Sequence, residues 1–553
     1  MKRLATLVAL LALTAPASAD TVRQELSFKA DDGVSLYSFV TGGAPLQPRP
    51  LIVEFTPYAP AAAGVWTGIN TVEVDTRGTG LSDGSWDIMG AREQQDIYEY
   101  LDWACRQPWS NGVIGLYGQS ASAVSAYAAM RRPLPCVKTA VLWAGTTDLY
   151  HDIGYVGGVP NQVISDGFGA LVLSPYAQSL QGRLQRSPQT LPEGISGYAQ
   201  RAADYQQHPT HDAWWDERSD FHPTPAGDGM VPVLANTGFY DIESPGPFAA
   251  YRMTRALGSH LIVYGGHDGG APGSTSAYRD ARQRWFDHWL RGIDNGIDSE
   301  PSVDMWIPEG GHDALLAGRF VKRSAANWPV PGTHWTPYYL DANGTLAAEP
   351  ADTETVQRYA YHPSDPIAAD ANTTSGLANS AGAQPVIDAI PNHIEMTASE
   401  PTALVYTTPA FETDVTMAGP GTVDLTASST APETDYVAVL ADVYPDGSAH
   451  QIALGRLRST YPGLDEKRTI RADDGTIVGP VGDFTEKIGI APLTRQRYHV
   501  ELWPFGNRFD AGHRLRLYIL GTPLTMAPAA PAINAVVTGG PQASRVVLPV
   551  LPG

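Results

Sequence analysis

The chain of 553 residues is 43% hydrophobic and 17% charged, with 55 Gly and 45 Pro, which excludes disordered and collagen-like classes and gives room for roughly two to four domains. Its 37 Lys and Arg stand against 58 Asp and Glu, a net charge of −21. No basic run is present that could neutralise phosphates or dock on anionic lipid, which excludes nucleic acid as the expected partner.

The first 19 residues, MKRLATLVALLALTAPASA, have a basic start, a mostly apolar stretch from Leu4 to Leu13 and a small-residue ending, the three parts of a secretory signal peptide. Cleavage is expected before Asp20. The apolar run is shorter than the roughly 20 residues that span a bilayer, and no later segment is long and apolar enough. Loss of Lys2 and Arg3 takes the charge from −21 to −23, so the expected product is acidic and exported, to the periplasm or beyond the cell.

From Asp20 to about Gly270 short apolar, β-branched runs alternate with helical stretches, the signature of a mostly parallel sheet covered by helices. The expected strands are Val34 to Val40, Leu51 to Phe55, Thr71 to Asp75, Val113 to Tyr117, Thr139 to Trp143, Val231 to Asn236 and His260 to Tyr264. Helices are expected over Arg92 to Arg106 and Ala121 to Arg131. Residues 152–230, rich in Gly, Pro, His and Trp, break the alternation and read as an insertion capping a pocket. A helix over Tyr278 to Gly292 closes the unit, which places the core at 20–151 and 231–300. Residues 301–553 then read as a β-rich domain, an antiparallel sandwich or jelly roll, with a long surface loop at 363–390. Of the two cysteines, Cys105 and Cys136, a single disulfide and two buried thiols are both open readings.

The most informative segment is Gly118-Gln119-Ser120-Ala121-Ser122, where an apolar strand runs directly into a small-residue helix. That is the context of a nucleophile elbow, which lifts the Ser120 hydroxyl above the sheet at a helix N-terminus that favours negative charge. Set against it is the plainer role of a helix N-cap. A serine nucleophile needs a base and an orienting acid, and here they should follow in the order Ser, Asp, His. Asp241 follows the strand VPVLANT and His267 follows the strand HLIVYGG, so both stand where that order requires. The candidate catalytic triad is therefore Ser120, Asp241 and His267.

The ordered set Phe55-Thr56-Pro57-Tyr58, Val74 to Gly84, Glu93 and Asp96, Gln107 to Gly112, the elbow, Gly238 to Asp241, Arg284 to Leu290, Trp328-Pro329 and Gly512 to Leu517 resembles the cocaine-esterase-like (CocE/NonD) serine hydrolases, relatives of the X-prolyl dipeptidyl peptidases and α-amino acid ester hydrolases. The chain departs from that pattern at Ala121 and Ser122, where Tyr and Gly are usual, and at Gly265-Gly266, where Pro-Trp is commoner. The resemblance implies an α/β-hydrolase core with an inserted helical cap and a C-terminal β jelly roll. It also implies an oxyanion hole made by the Tyr58 hydroxyl and the Ala121 backbone N–H. In the similar amino ester hydrolases an acid at the offset of Glu243 belongs to a carboxylate cluster that holds the substrate ammonium. Here Ser244 replaces one member, and Asp148 or Asp152 is the distant one. The candidate substrate-binding residues are Glu243, Asp152, Trp143 and Phe239. Glu93 and Asp96 read as structural acids for Arg77 or a helix N-terminus. His208, His211 and Asp212 lie in the inserted segment without implying a metal, and no cofactor is expected. Three functions follow: an exported serine hydrolase of esters or amides acting on a small substrate; an X-prolyl-type aminopeptidase or amino ester hydrolase with the same triad; and, from another class, a non-catalytic jelly-roll binding protein.

Overall fold

The computed structural model describes residues 21–58, 66–87, 89–161, 184–185, 200, 204–219, 229–239, 241, 244–264, 274–310, 319–362, 395–521 and 528–552. His267, Glu243, the signal segment, most of the cap insertion and the 363–390 loop lie outside the described residues.

A ten-stranded sheet forms the core. Its strands are β1 (Thr21–Lys29), β2 (Ser35–Gly43), β3 (Arg49–Thr56), β4 (Asn70–Asp75), β5 (Ser110–Gln119) and β6 (Val137–Trp143). A short hairpin, β7 (Tyr155–Val156) and β8 (Val159–Pro160), stands apart from it. The sheet resumes with β9 (Val233–Gly238), β10 (His260–Tyr264), β11 (Val303–Pro308) and β12 (Phe320–Ala325). Strand order is β1-β2-β4-β3-β5-β6-β9-β10-β11-β12, parallel from β4 to β11 and antiparallel at both ends. The central strands are continuous apolar runs because both faces are covered. Helices α1 (Ala91–Cys105) and α2 (Ala121–Ala129) pack with Val53, Phe55 and Leu116 on one face.

Between β8 and β9 the cap contributes α3 (Ala213–Arg218), and α4 (Pro245–Thr254) and α5 (Ser274–Arg291) follow β9 and β10. Helix α5 covers the opposite face of the sheet from α1 and α2, through Tyr278, Trp285 and Phe286 over Ile52, Val141 and Leu234. The seven expected strands and the three expected helices are all present, with ends shifted by a few residues.

The core sheet runs past the boundary expected at residue 300. β11 continues the parallel sheet against β10, and β12 closes its edge, so the core extends to Ala325. The C-terminal domain starts with the strand His334–Leu340. It is an antiparallel sandwich: a seven-stranded sheet built around Val415–Ser429 and Gln496–Phe509, and a four-stranded sheet around Asp435–Val443. Leu425, Val500 and Leu548 from the first sheet meet Leu440, Ile452 and Leu517 from the second in one core. The same core takes in Tyr150, Tyr155, Tyr205 and Trp215 from the cap region, where Tyr150 and Tyr155 stack at 5.0 Å. Cys105 and Cys136 form a disulfide between the end of α1 and the start of β6.

Candidate active site

Only Ser120 separates β5 from α2, and its φ of 53° and ψ of −126° are the sharp, strained turn that a nucleophile elbow demands. Its N–H donates to Trp143 O at 2.9 Å, and its carbonyl accepts from Ala123 N and Val124 N at 2.8 and 3.1 Å. The side chain makes no capping hydrogen bond, so the N-cap reading does not account for the hydroxyl. Gly118 permits the turn, since a Cβ there would lie 2.4 Å from the Ser122 carbonyl group. Ser122, in place of the usual glycine, is buried, and Glu54 lies beneath the turn on β3. The Glu54 carboxyl is pushed up to about 8 by desolvation and by the Glu73 charge.

The Tyr58 hydroxyl, two residues past β3, lies 3.4 Å from Ser120 Oγ. The Ala121 N–H, first of the orphan donors of α2, has no acceptor among the described residues. Asp241 is 1% exposed and follows β9, with the Thr237 hydroxyl 3.5 Å from its Oδ2. His267 belongs to the segment after β10, the strand beside β9, and lies outside the described residues. The structure therefore brings Tyr58, Ser120 and Ala121 together and places Asp241 at the end of β9, two strands beyond β5.

Among the described residues four non-glycines have positive φ, and three of them cluster at this edge: Met89 (61°), Ser120 (53°) and Ala144 (47°). Backbone strain of this kind persists where the surroundings over-determine it, and active sites are where it gathers. Met89 is held by its N–H to Glu93 Oε2 at 2.9 Å and by Gln94 Nε2 to its carbonyl at 2.6 Å. With Val124 and Leu149 it forms an apolar wall next to Ala121 and Tyr58. Nothing in its sequence neighbourhood marks Met89, because its place depends on a loop conformation fixed from α1. Asp96, by contrast, does what the spacing suggests and grips Arg77 at 2.7 and 2.9 Å.

Trp143 and Phe239, expected as substrate contacts, are packing residues. The Trp143 ring meets Tyr278 edge-on at 4.9 Å under α5, and only its carbonyl touches the elbow. Phe239 is wedged against Phe248, Trp328 and the backbone of Gly506, on the seam with the sandwich. The parity of β6 turns the Trp143 ring away from the elbow, and Phe239, one residue past β9, puts its ring on the seam. Asp152 is buried, bonded to the Thr146 hydroxyl and to His151 Nδ1, the latter at 2.5 Å. His151 Nε2 meets Glu501 of the sandwich at 2.8 Å. Burial alone would lower the His151 imidazole; the Glu501 charge and the bonds to both acids outweigh it and push it up to about 10. Asp148 pairs with Arg468 at 2.6 Å. Burial would raise its carboxyl, yet the Arg468 charge, helped by His211 and His151, holds it well below the usual range.

In the cap, His208 Nδ1 contacts Asp212 at 2.6 Å while Asp212 caps α3 through Trp214 N. Among the described residues no group of three His, Cys, Asp or Glu side chains is arranged to hold a metal.

Residues 32–268 match the family model of the X-Pro dipeptidyl-peptidase (S15 family), and residues 295–535 that of the X-Pro dipeptidyl-peptidase C-terminal non-catalytic domain. A cocaine esterase from Rhodococcus sp. (strain MB1 Bresler) is 24% identical over 482 residues, 75% of this chain and 79% of that protein. The crystal structure of a CocE/NonD family hydrolase from Staphylococcus aureus superposes with a TM-score of 0.75 at 18% identity, covering 96% of this chain and 94% of that one. An aminopeptidase from a marine sediment Thaumarchaeota archaeon gives 0.74 at 17% identity, covering 96% and 97%.

Proposed function

The chain belongs to the cocaine-esterase-like (CocE/NonD) serine hydrolases of the S15 type, and from that premise we propose that it is an exported hydrolase of small carboxylic esters or amides, working through an acyl-enzyme on Ser120. The observation that carries the reading is the elbow itself: Ser120 at positive φ, its hydroxyl uncommitted to the helix, with the Tyr58 hydroxyl 3.4 Å away. His267 takes the Ser120 proton as the oxygen attacks the acyl carbon, then returns it to the leaving alcohol or amine. Asp241 fixes the imidazole tautomer and stabilises the imidazolium. Tyr58 and Ala121 donate to the oxyanion. Water, deprotonated by His267, then releases the acid and restores Ser120.

The acids around the site favour simple acyl groups over free amines. Asp148 is neutralised by Arg468, and Asp152 shares the His151 imidazolium with Glu501. Of the carboxylates that the resemblance places around a substrate ammonium, this leaves Glu243. Met89, Val124 and Leu149 supply an apolar surface to a short acyl or alcohol group. Export rests on the first 19 residues, with the Cys105–Cys136 disulfide suited to an oxidising compartment.

Initial rates on p-nitrophenyl acetate, p-nitrophenyl butyrate, an amino-acyl ester and a Gly-Pro anilide test this. The two simple esters should be preferred, and an active-site phosphonate should label Ser120. Preference for the Gly-Pro anilide would move the protein to the aminopeptidases; absence of both label and turnover would make it a binding protein. Tyr58→Phe removes one oxyanion donor and is expected to lower kcat on p-nitrophenyl acetate roughly 10²-fold with an unchanged circular dichroism spectrum. A rate within about twofold of the parent would remove Tyr58 from the oxyanion hole.

A further inference from the structure

A cavity of about 310 Å³ at the seam between α4 and the sandwich carries the charge opposite to that of the whole chain. Arg252 and Arg255 reach its wall from the end of α4, and Lys467 and Arg468 from the sandwich. Its two lining carboxylates, Asp152 and Glu501, are both bound to His151. Two of the three guanidiniums are engaged: Arg468 pairs with Asp148 at 2.6 Å, and Arg255 donates to Asn327 at 2.9 Å. Arg252, half-buried, has neither a hydrogen bond nor an ion pair among the described residues. Desolvation, reinforced by repulsion from Arg255 and Arg468, pulls its guanidinium down to about 10. A cation held out of water beside two others is costly unless an anion joins it.

Thr147 and His151 add polar atoms, and the rest of the described lining is apolar, with Phe248, Met253, Trp328, Pro420, Val481 and Pro504 around the space. The volume sits at the lower end of ligand cavities, roughly 300–1,000 Å³. Ser120, Tyr58 and Asp241 do not line it. We propose that this cavity is a second binding site, for a small organic carboxylate whose acid group pairs with Arg252 and whose apolar body packs against Phe248, Met253 and Trp328. Planar guanidinium and planar carboxylate match two hydrogen bonds at once, so the acid rather than a spherical anion is the fitting occupant. The assignment is independent of hydrolysis at Ser120.

Titration calorimetry with 4-phenylbutyrate, its neutral amide and inorganic phosphate, on the full protein and on Arg252→Gln and Arg252→Lys, tests the site. The carboxylate should bind, with amide and phosphate each weaker by about tenfold or more. Arg252→Gln should weaken the carboxylate by at least about tenfold, with Arg252→Lys intermediate, while p-nitrophenyl acetate hydrolysis is unchanged. Ser120→Ala should bind the carboxylate as the parent does. Without ligand, the thermal midpoint of Arg252→Gln should not fall, because an uncompensated charge has been removed rather than a pair broken. No heat from the carboxylate up to about 10 mM, equal binding of amide or phosphate, indifference to Arg252, loss of binding in Ser120→Ala, or a destabilised Arg252→Gln would each overturn the proposal.

Discussion

Ser120→Ala is expected to lower kcat on p-nitrophenyl acetate by a factor on the order of 10⁴ to 10⁶, the range seen when a serine nucleophile is removed from an intact triad. The size of the loss follows from the division of labour at the elbow. Tyr58 and Ala121 would still polarise the carbonyl, but the hydroxyl held at the turn to attack it would be gone. The variant should fold, because the Ser120 hydroxyl makes no capping bond to α2 and the contacts that hold the turn are made by its backbone. A left-handed φ costs alanine no more than it costs serine. Rates measured alongside circular dichroism decide the matter: a folded variant that keeps more than about a tenth of its activity would place the nucleophile elsewhere.

Arg468→Ala is expected to be among the most destabilising single changes outside the hydrophobic core, by about 3–5 kcal/mol. It strips the partner from Asp148, whose side chain is 7% exposed and whose 2.6 Å bond to Arg468 joins the hydrolase core to the sandwich across 320 residues of sequence. The cost is that of a carboxylate left charged in a poorly solvated place, so it has a sign in pH. The folded-state carboxyl of Asp148 lies below its unfolded value, hence its stabilisation is present above the ordinary carboxylate range and is lost as pH falls through the folded value. In Arg468→Ala that depression is gone, and the penalty should shrink as pH is lowered and Asp148 takes a proton. Replacing both partners, Asp148→Asn with Arg468→Met, should recover most of the loss. Denaturant midpoints for the single and double variants at neutral and mildly acid pH measure all of this. A single variant within about 1 kcal/mol of the parent would show the pair to be ornamental to folding.

What the amino-acid sequence reveals here is what local pattern can carry. The elbow is legible because strand, turn and helix are contiguous, and Asp241 because it sits at the end of an unmistakable strand. β1 escapes notice because TVRQELSFK lies at the edge of the sheet, its pattern mostly exposed or half-exposed, so it lacks the apolar run of a central strand. β11 and β12 are readable as strands, yet whether they extend the old sheet or begin a new one is decided by pairing with β10, which no local signal encodes. The same limit governs the acids: Asp148 looks like a free carboxylate until Arg468 arrives from 320 residues away, and nothing near His151, the partner of Asp152, announces Glu501, 350 residues on. Trp143 and Phe239 fail for a smaller reason, since being at a strand end does not say which face of the sheet a ring takes.

The disulfide closes a ring in the chain whose interior holds β5, the elbow and α2, from Cys105 round to Cys136, and no cysteine remains outside it. Ser120 thus rides on what is topologically a cyclic peptide let into the middle of the sheet. A protease that nicks the exposed turn after Arg131 would leave two pieces that still travel as one molecule, with the elbow joined to the second piece through Cys105. Only a reductant would part them, so the backbone beside Ser120 can be broken without either half of its setting being free to diffuse away.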